Sequence, residues 1–127
     1  MLLGWTCTVM LLGANAAWDL ACCLWMVCAY AQVEARPPHW ALWADEGDGE
    51  SPAARMLWIA LVLQWGCVRV WAALTARAWW LAVATYEVEA ACMLAGALTG
   101  LMRPERAVPA GALSHLCALA VAWLTMA

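Results

Sequence analysis

The stretch MLWIALVLQWGCVRVWAALTARAWWLAVATYEVEAACMLAGALTGLM, residues 56–102, decides how this chain is read. It holds two apolar runs, 56–76 and 78–102, parted by Arg77 alone. A helix needs about 20 apolar residues to cross a bilayer, and each run is long enough. Working outward, residues 2–33 and 107–127 supply two more such runs. The predicted fold is all-α, an integral membrane bundle of four transmembrane helices forming a single domain over residues 1–127, with an acidic loop at about 34–55.

Composition agrees. Hydrophobic residues make up 68% of the chain and charged residues 12%, against about 25% charged in ordinary soluble domains. A water-soluble domain this small could not bury so much apolar surface. There is no lysine, and the net charge of −3 comes mostly from one loop. That removes the basic patch on which nucleic-acid binding depends. The predicted partner from composition is therefore the lipid bilayer, with no nucleic acid.

The seven cysteines all fall inside the apolar runs. None makes a CxxC pair or stands near a histidine at ligand spacing, so they read as small buried hydrophobes. No metal and no cofactor is predicted. Ala14-Asn15-Ala16 has the form of a signal-peptide cleavage site, but no Lys or Arg precedes it and apolar sequence continues to Tyr30. The segment is read as a retained helix. At 1.5 Å per residue it would measure about 48 Å, so tilt or a projecting turn must absorb the excess. Trp5 and Tyr30 are the expected interface anchors.

The first connection carries Pro37-Pro38, a tryptophan strip at 39–43 suited to the headgroup level, and Asp45-Glu46-Gly47-Asp48-Gly49-Glu50. The acidic run lacks the alternating ligands of a calcium-binding EF-hand loop and reads as solvated. Ser51-Pro52 suits a helix N-cap and first turn. A tight hairpin is expected at Ala76 and Arg77, and a polar turn at Arg103-Pro104-Glu105-Arg106, with Pro109 in the opening turn of the fourth helix. Arg36, Arg55, Arg103 and Arg106 fall on one side of the membrane, against Arg77 and the deeper Arg69 on the other. The Lys/Arg bias therefore places loops one and three in the cytoplasm.

Asn15, Asp19, Arg69, Glu87, Glu89 and His115 are the residues within the spans singled out as those a bilayer should resist. A charge near the midplane costs at least about 2.5 kcal/mol, so such residues are usually paired, inward-facing or functional. Counting from the hairpin, Arg69 lies about 10 Å deep and Glu87 about 15 Å, so Arg69 is expected to pair with Asp19 or Glu87. The alternative is that the carboxylates are neutral acids. Glu87 and Glu89, two residues apart, point to nearly opposite faces and cannot form a close dyad. The residues that align as one stripe on each helix are Thr8, Asn15, Asp19 and Cys22; Ile59, Val62, Gly66, Arg69 and Ala73; Glu89, Met93, Gly96 and Gly100; and Gly111, His115, Ala118 and Ala122. Gly96 and Gly100 form a GxxxG, and Ala110, Ser114, Ala118 and Ala122 form a second small-residue ridge. The two are expected to meet within the monomer. Gly66, Gly96, Gly100 and Gly111 are thus the packing candidates. The 11 tryptophans read as interface anchors and lipid-facing bulk.

From Arg55 onward the chain resembles the small four-span scaffold family of ergosterol biosynthesis. The resemblance rests on Ala54-Arg55 with Trp58, Val68-Arg69 with Ala72-Ala73, Thr85-Tyr86 and Pro109, and on Asn15 in the first span. The sequence departs from that family in a longer Arg55-to-Arg69 spacing, in Cys92 and Gly96 where the family has His and Glu, and in its acidic first loop. The resemblance implies a non-catalytic tether of the sterol C-4 demethylation enzymes in the endoplasmic reticulum, and with it other membrane proteins as partners. No nucleotide loop, nucleophile elbow or HExxH is present. The expected function is therefore a non-enzymatic scaffold or assembly subunit for membrane partners, with lipid or sterol metabolism as its setting. The alternatives are a small transporter or proton-coupled carrier titrating Asp19, Glu87 or Glu89, and a membrane isomerase using His115 with a carboxylate.

Overall fold

A computed structural model describes residues 2–31, 52–75 and 78–126. They form α1 (Leu2–Ala31), α2 (Pro52–Thr75), α3 (Trp79–Leu98) and α4 (Pro104–Met126). The described residues contain no strand. All four helices are long and apolar enough to cross a membrane, as expected of a multi-pass integral membrane protein. In lipid every backbone polar group must be satisfied within its own segment, and a helix does this. Polar side chains follow the same rule. Thr8 donates to the Gly4 carbonyl at 2.8 Å, Asn15 to Leu11 at 3.0 Å and Thr125 to Val121 at 2.9 Å, each one turn back along its own helix. The acidic run, the tryptophan strip at 39–43, Arg36, the Ser51 cap and Arg77 lie outside the described residues.

The helices run up and down in turn. Packing is most extensive between α1 and α2 and between α3 and α4; among adjacent helices, contact is lighter between α2 and α3 and lightest between α1 and α4. Two apolar cores stack along the bundle. One, toward the α3–α4 turn, gathers Cys22, Met26, Trp58, Val62, Met93 and Met102. The other, toward the chain's two ends, gathers Leu12, Ala72, Ala82, Tyr86, Ala118 and Val121. At that second end, half-exposed or exposed tryptophans stand one on each helix, Trp5, Trp71, Trp80 and Trp123, all within about one turn of a helix terminus. A ring of this kind is what an interface belt requires. Trp58 and Trp65 instead are buried and pack edge to face at 5.7 Å.

Several boundaries differ from the sequence expectation. α3 ends at Leu98, four residues before the apolar run does. Gly100, at φ +75°, turns the chain left-handed; its N–H reaches the Ala97 carbonyl, and the Met102 N–H reaches Gly96 at 2.9 Å, closing off carbonyls the helix leaves open. α4 begins at Pro104 rather than at 107, because proline suits the first helical position. The Arg103 carbonyl then accepts from Arg106 and Ala107, and Glu105 faces the helix N-terminus, where negative charge is favoured. Pro109 therefore lies inside α4 and past its first turn. Ala78, ahead of α3, holds φ 55° without a side-chain cap, a strain of about 1–2 kcal/mol for a residue with a Cβ.

The GxxxG does not pack as expected. The space beside Gly96 is filled by the Met102 side chain, 2.7 Å from where a Cβ would stand, and Gly100 meets nothing within 4 Å. The close approach of α3 and α4 occurs two turns earlier along α3. There a Cβ on Gly111 would stand 3.3 Å from the Ala90 carbonyl oxygen and 3.4 Å from the Met93 Cβ. Gly66 does the same for α1 and α2, where a Cβ would stand 3.1 Å from that of Asp19. Gly111→Leu is expected to destabilise the bundle by about 1–3 kcal/mol through overpacking, read as a lower thermal midpoint in detergent. Gly13→Leu, which projects into open space, should leave that midpoint within about 0.5 kcal/mol of its starting value.

Candidate functional site

Between the two apolar cores lies a polar layer built around Arg69, whose side chain is 1% exposed. The guanidinium uses its full fork. Nη1 donates to Asp19 Oδ2 at 2.6 Å, Nη2 to Glu89 Oε2 at 2.6 Å and Nε to the Thr85 hydroxyl at 3.1 Å. Its carbon sits 3.8 Å from the centre of the Tyr86 ring, in cation–π distance. Thr85 passes its own proton to the Ala82 carbonyl at 2.7 Å. The Ser114 hydroxyl lies 3.0 Å from both Glu89 Oε2 and the Tyr86 carbonyl oxygen, and its one proton serves either. Asp19, Arg69, Glu89 and Ser114 come from α1, α2, α3 and α4 in that order, so this cluster joins every helix.

Helical geometry explains the assembly. Thr85 and Glu89 are one turn apart on α3, with Tyr86 and Met93 on the same buried side. Glu89 stands ten residues into α3, about 15 Å along a helix of about 30 Å. Of the two partners expected for Arg69, Asp19 is found in contact with it, whereas Glu87 is not and Glu89 stands in its place. Glu87 and Glu89 differ by only about 3 Å in depth, but by about 200° around the helix. Direction around the axis decides the partner, and Glu89 points inward.

Glu87 instead points out of the bundle and meets His115, which was aligned with Gly111 and Ala118 but does not share their buried face. Nδ1 of His115 lies 2.8 Å and 3.0 Å from the two Glu87 carboxylate oxygens. Both side chains are about half exposed, 51% and 45%. The buried ridge of α4 runs one residue earlier, through Gly111, Ser114, Ala118 and Val121. Asn15 is half-buried, and its amide is used on its own helix. Thr85, Tyr86 and Ser114 belong to the cluster and were not singled out as site residues. The signal for Thr85 and Tyr86 was their spacing of four and three from Glu89.

Two concavities flank these groups. A cavity of about 220 Å³ opens between α1 and α4, with Asp19, Arg69 and Glu89 on its floor and Trp18 and Leu113, both exposed, at its rim. A second concavity, a groove of about 410 Å³, runs along the outer face of α3 and α4. Small residues floor it, Ala90 and Ala91 on one side and Gly111 and Ala112 on the other, and Glu87 and His115 lie along it. Among the described residues no group of His, Cys, Asp or Glu is placed to hold a metal ion. All seven cysteines are free thiols.

The Tyr86 hydroxyl is buried without a hydrogen-bond partner. Removing one partner of a buried ion pair leaves the others uncompensated. Arg69→Leu is expected to cost about 3–5 kcal/mol in a reversible detergent unfolding titration. Tyr86→Phe keeps the ring under the guanidinium and deletes only the unpaired hydroxyl, so stability should be unchanged or higher by up to about 1 kcal/mol.

Comparison of the chain with protein-family models, with curated proteins and with solved structures found no match.

Proposed function

We propose that this protein is a non-enzymatic assembly subunit, which docks a transmembrane helix of a different membrane protein on the outer face of α3 and α4. The observation that carries the reading is the Glu87–His115 pair, half exposed within two membrane-spanning helices. Ionisable groups facing hydrocarbon are costly and normally turn toward protein or water. Here they lie along a groove floored by Ala90, Ala91, Gly111 and Ala112. Small residues let a second helix backbone approach closely, and a polar group beside them supplies an interhelical hydrogen bond.

The chemistry of the pair selects the occupant. The Glu87 carboxylate, which gives only part of its lone-pair capacity to His115 Nδ1, keeps acceptor positions for a neighbouring helix. A partner helix carrying a hydroxyl, amide or basic donor completes the set. The resemblance to the ergosterol-biosynthesis scaffold family agrees with such a role, and would set it among sterol-metabolising enzymes of the endoplasmic reticulum. The arginine bias of the loops would place the α3–α4 turn in the cytoplasm.

A photoreactive residue at Ala91, in native membranes, is the test. An adduct with a different protein is expected, and it should be lost in both Ala112→Trp, which fills the groove, and His115→Leu, which removes the polar contact. An adduct twice the chain's own mass would assign the face to self-association. An adduct indifferent to both substitutions would mean that no docking occurs in this groove. Either result overturns the reading.

A further inference from the structure

We propose that the cavity between α1 and α4 binds the protonated head of one hydrophobic amine, entering sideways from the lipid. This site lies on a different face from the docking groove and stands independently of it. Three observations converge. The first is charge. Arg69 contributes one positive charge and Asp19 and Glu89 two negative ones, so the cluster carries a formal −1 in the middle of the span. The charged residues of the described helices and turns outside it are Glu87, which faces the other side of α3 beside His115, Arg55 in the first turn of α2, and Arg103, Glu105 and Arg106 around the α3–α4 turn. None offsets it locally. A single cation does, and at low effective dielectric that attraction is strong.

The second observation is access. α1 and α4 touch least of the neighbouring helices, and the cavity reaches the charged floor through that seam. Its rim residues Trp18 and Leu113 are 55% and 64% exposed, so the mouth opens to the hydrocarbon side of the bundle and not to water at either end. The third is size and lining. About 220 Å³ holds the head of an amphiphile and not its tail, which would remain in lipid. Trp18 supplies an aromatic face for an ammonium, and Met93, Leu113 and Cys117 line the apolar remainder. An anionic head would meet the −1 cluster unfavourably. A neutral alcohol would gain hydrogen bonds but no charge compensation.

The experiment uses the full chain in phosphatidylcholine nanodiscs and three chain-brominated probes of equal length: dodecylamine, dodecanol and dodecanoate. Quenching of Trp18 is isolated by subtracting the Trp18→Phe variant. The amine should quench saturably at one per chain, with half-saturation at least about tenfold below that of the alcohol, and the carboxylate should not saturate. Leu113→Tyr, which places a ring across the mouth without touching the ion cluster, should abolish the saturable phase. Glu89→Gln, which keeps an oxygen toward Arg69 and removes one negative charge, should erase the preference for amine over alcohol. Equal quenching by amine and alcohol in the unaltered chain would mean that the cluster is already neutral, and would overturn the proposal. So would linear quenching by all three probes, which is membrane partitioning, or a saturable phase that survives Leu113→Tyr.

Discussion

A guanidinium held at mid-span determines how these four helices can be arranged. Lipid supplies no hydrophobic force between helices, so packing and polar contacts must set their partners and register. Arg69 sets both. Its two 2.6 Å contacts reach Asp19 on α1 and Glu89 on α3, and Ser114 brings α4 to the same carboxylate. A slip of either helix by one turn, about 5.4 Å, would break its contact and leave a charge unpaired in hydrocarbon. The cluster thus joins the two closely packed pairs, α1 with α2 and α3 with α4. A buried ion pair is weak evidence for net stability; its clearer contribution here is to exclude every other register.

The close contacts serve that same layer. Gly66 stands one turn before Arg69, and the missing side chain lets Asp19 approach α2 closely enough to meet the guanidinium. Gly111 stands one turn before Ser114 and brings α4 against Ala90 and Met93, which puts the Ser114 hydroxyl within reach of Glu89. On both seams the small residue and the polar residue lie on one face, three positions apart. Packing and hydrogen bonding are one device, with the glycine setting the distance and the polar side chain using it.

Much of this was legible from residue order. Four spans follow from apolar runs of bilayer length, and the inward stripe of α2 through Val62, Gly66, Arg69 and Ala73 is buried as its periodicity requires. The errors share a cause. Depth along an axis can be counted from a turn, but direction around it needs a reference that a uniformly apolar helix does not provide. Glu87 was therefore matched to Arg69 by depth, while Glu89 holds the inward direction. His115 was aligned with Gly111 and Ala118, and it is Ser114, already on the small-residue ridge, that shares their buried face. Gly96 and Gly100 matched a packing pattern, yet the first is filled by Met102 and the second ends the helix. Local spacing does not distinguish a glycine that admits a neighbouring helix from one that lets the chain turn.

The two carboxylates of α3 show what the fold leaves unfinished. They sit two residues apart on one helix, at nearly the same depth, in the same solvent. Glu89 is enclosed by Arg69 and Ser114, whereas Glu87 has only His115, and both of those side chains stay half open. Folding alone gains nothing from turning a second carboxylate outward, because the bundle's apolar cores and the contacts of Arg69 are made without it. An alanine and a leucine at these positions would face lipid at far lower cost. The outward pair also lies along the α3–α4 seam, where the surface is both small-sided and concave. Under the proposed docking, that polar pair and the groove beside it are the part of the interface that this chain contributes.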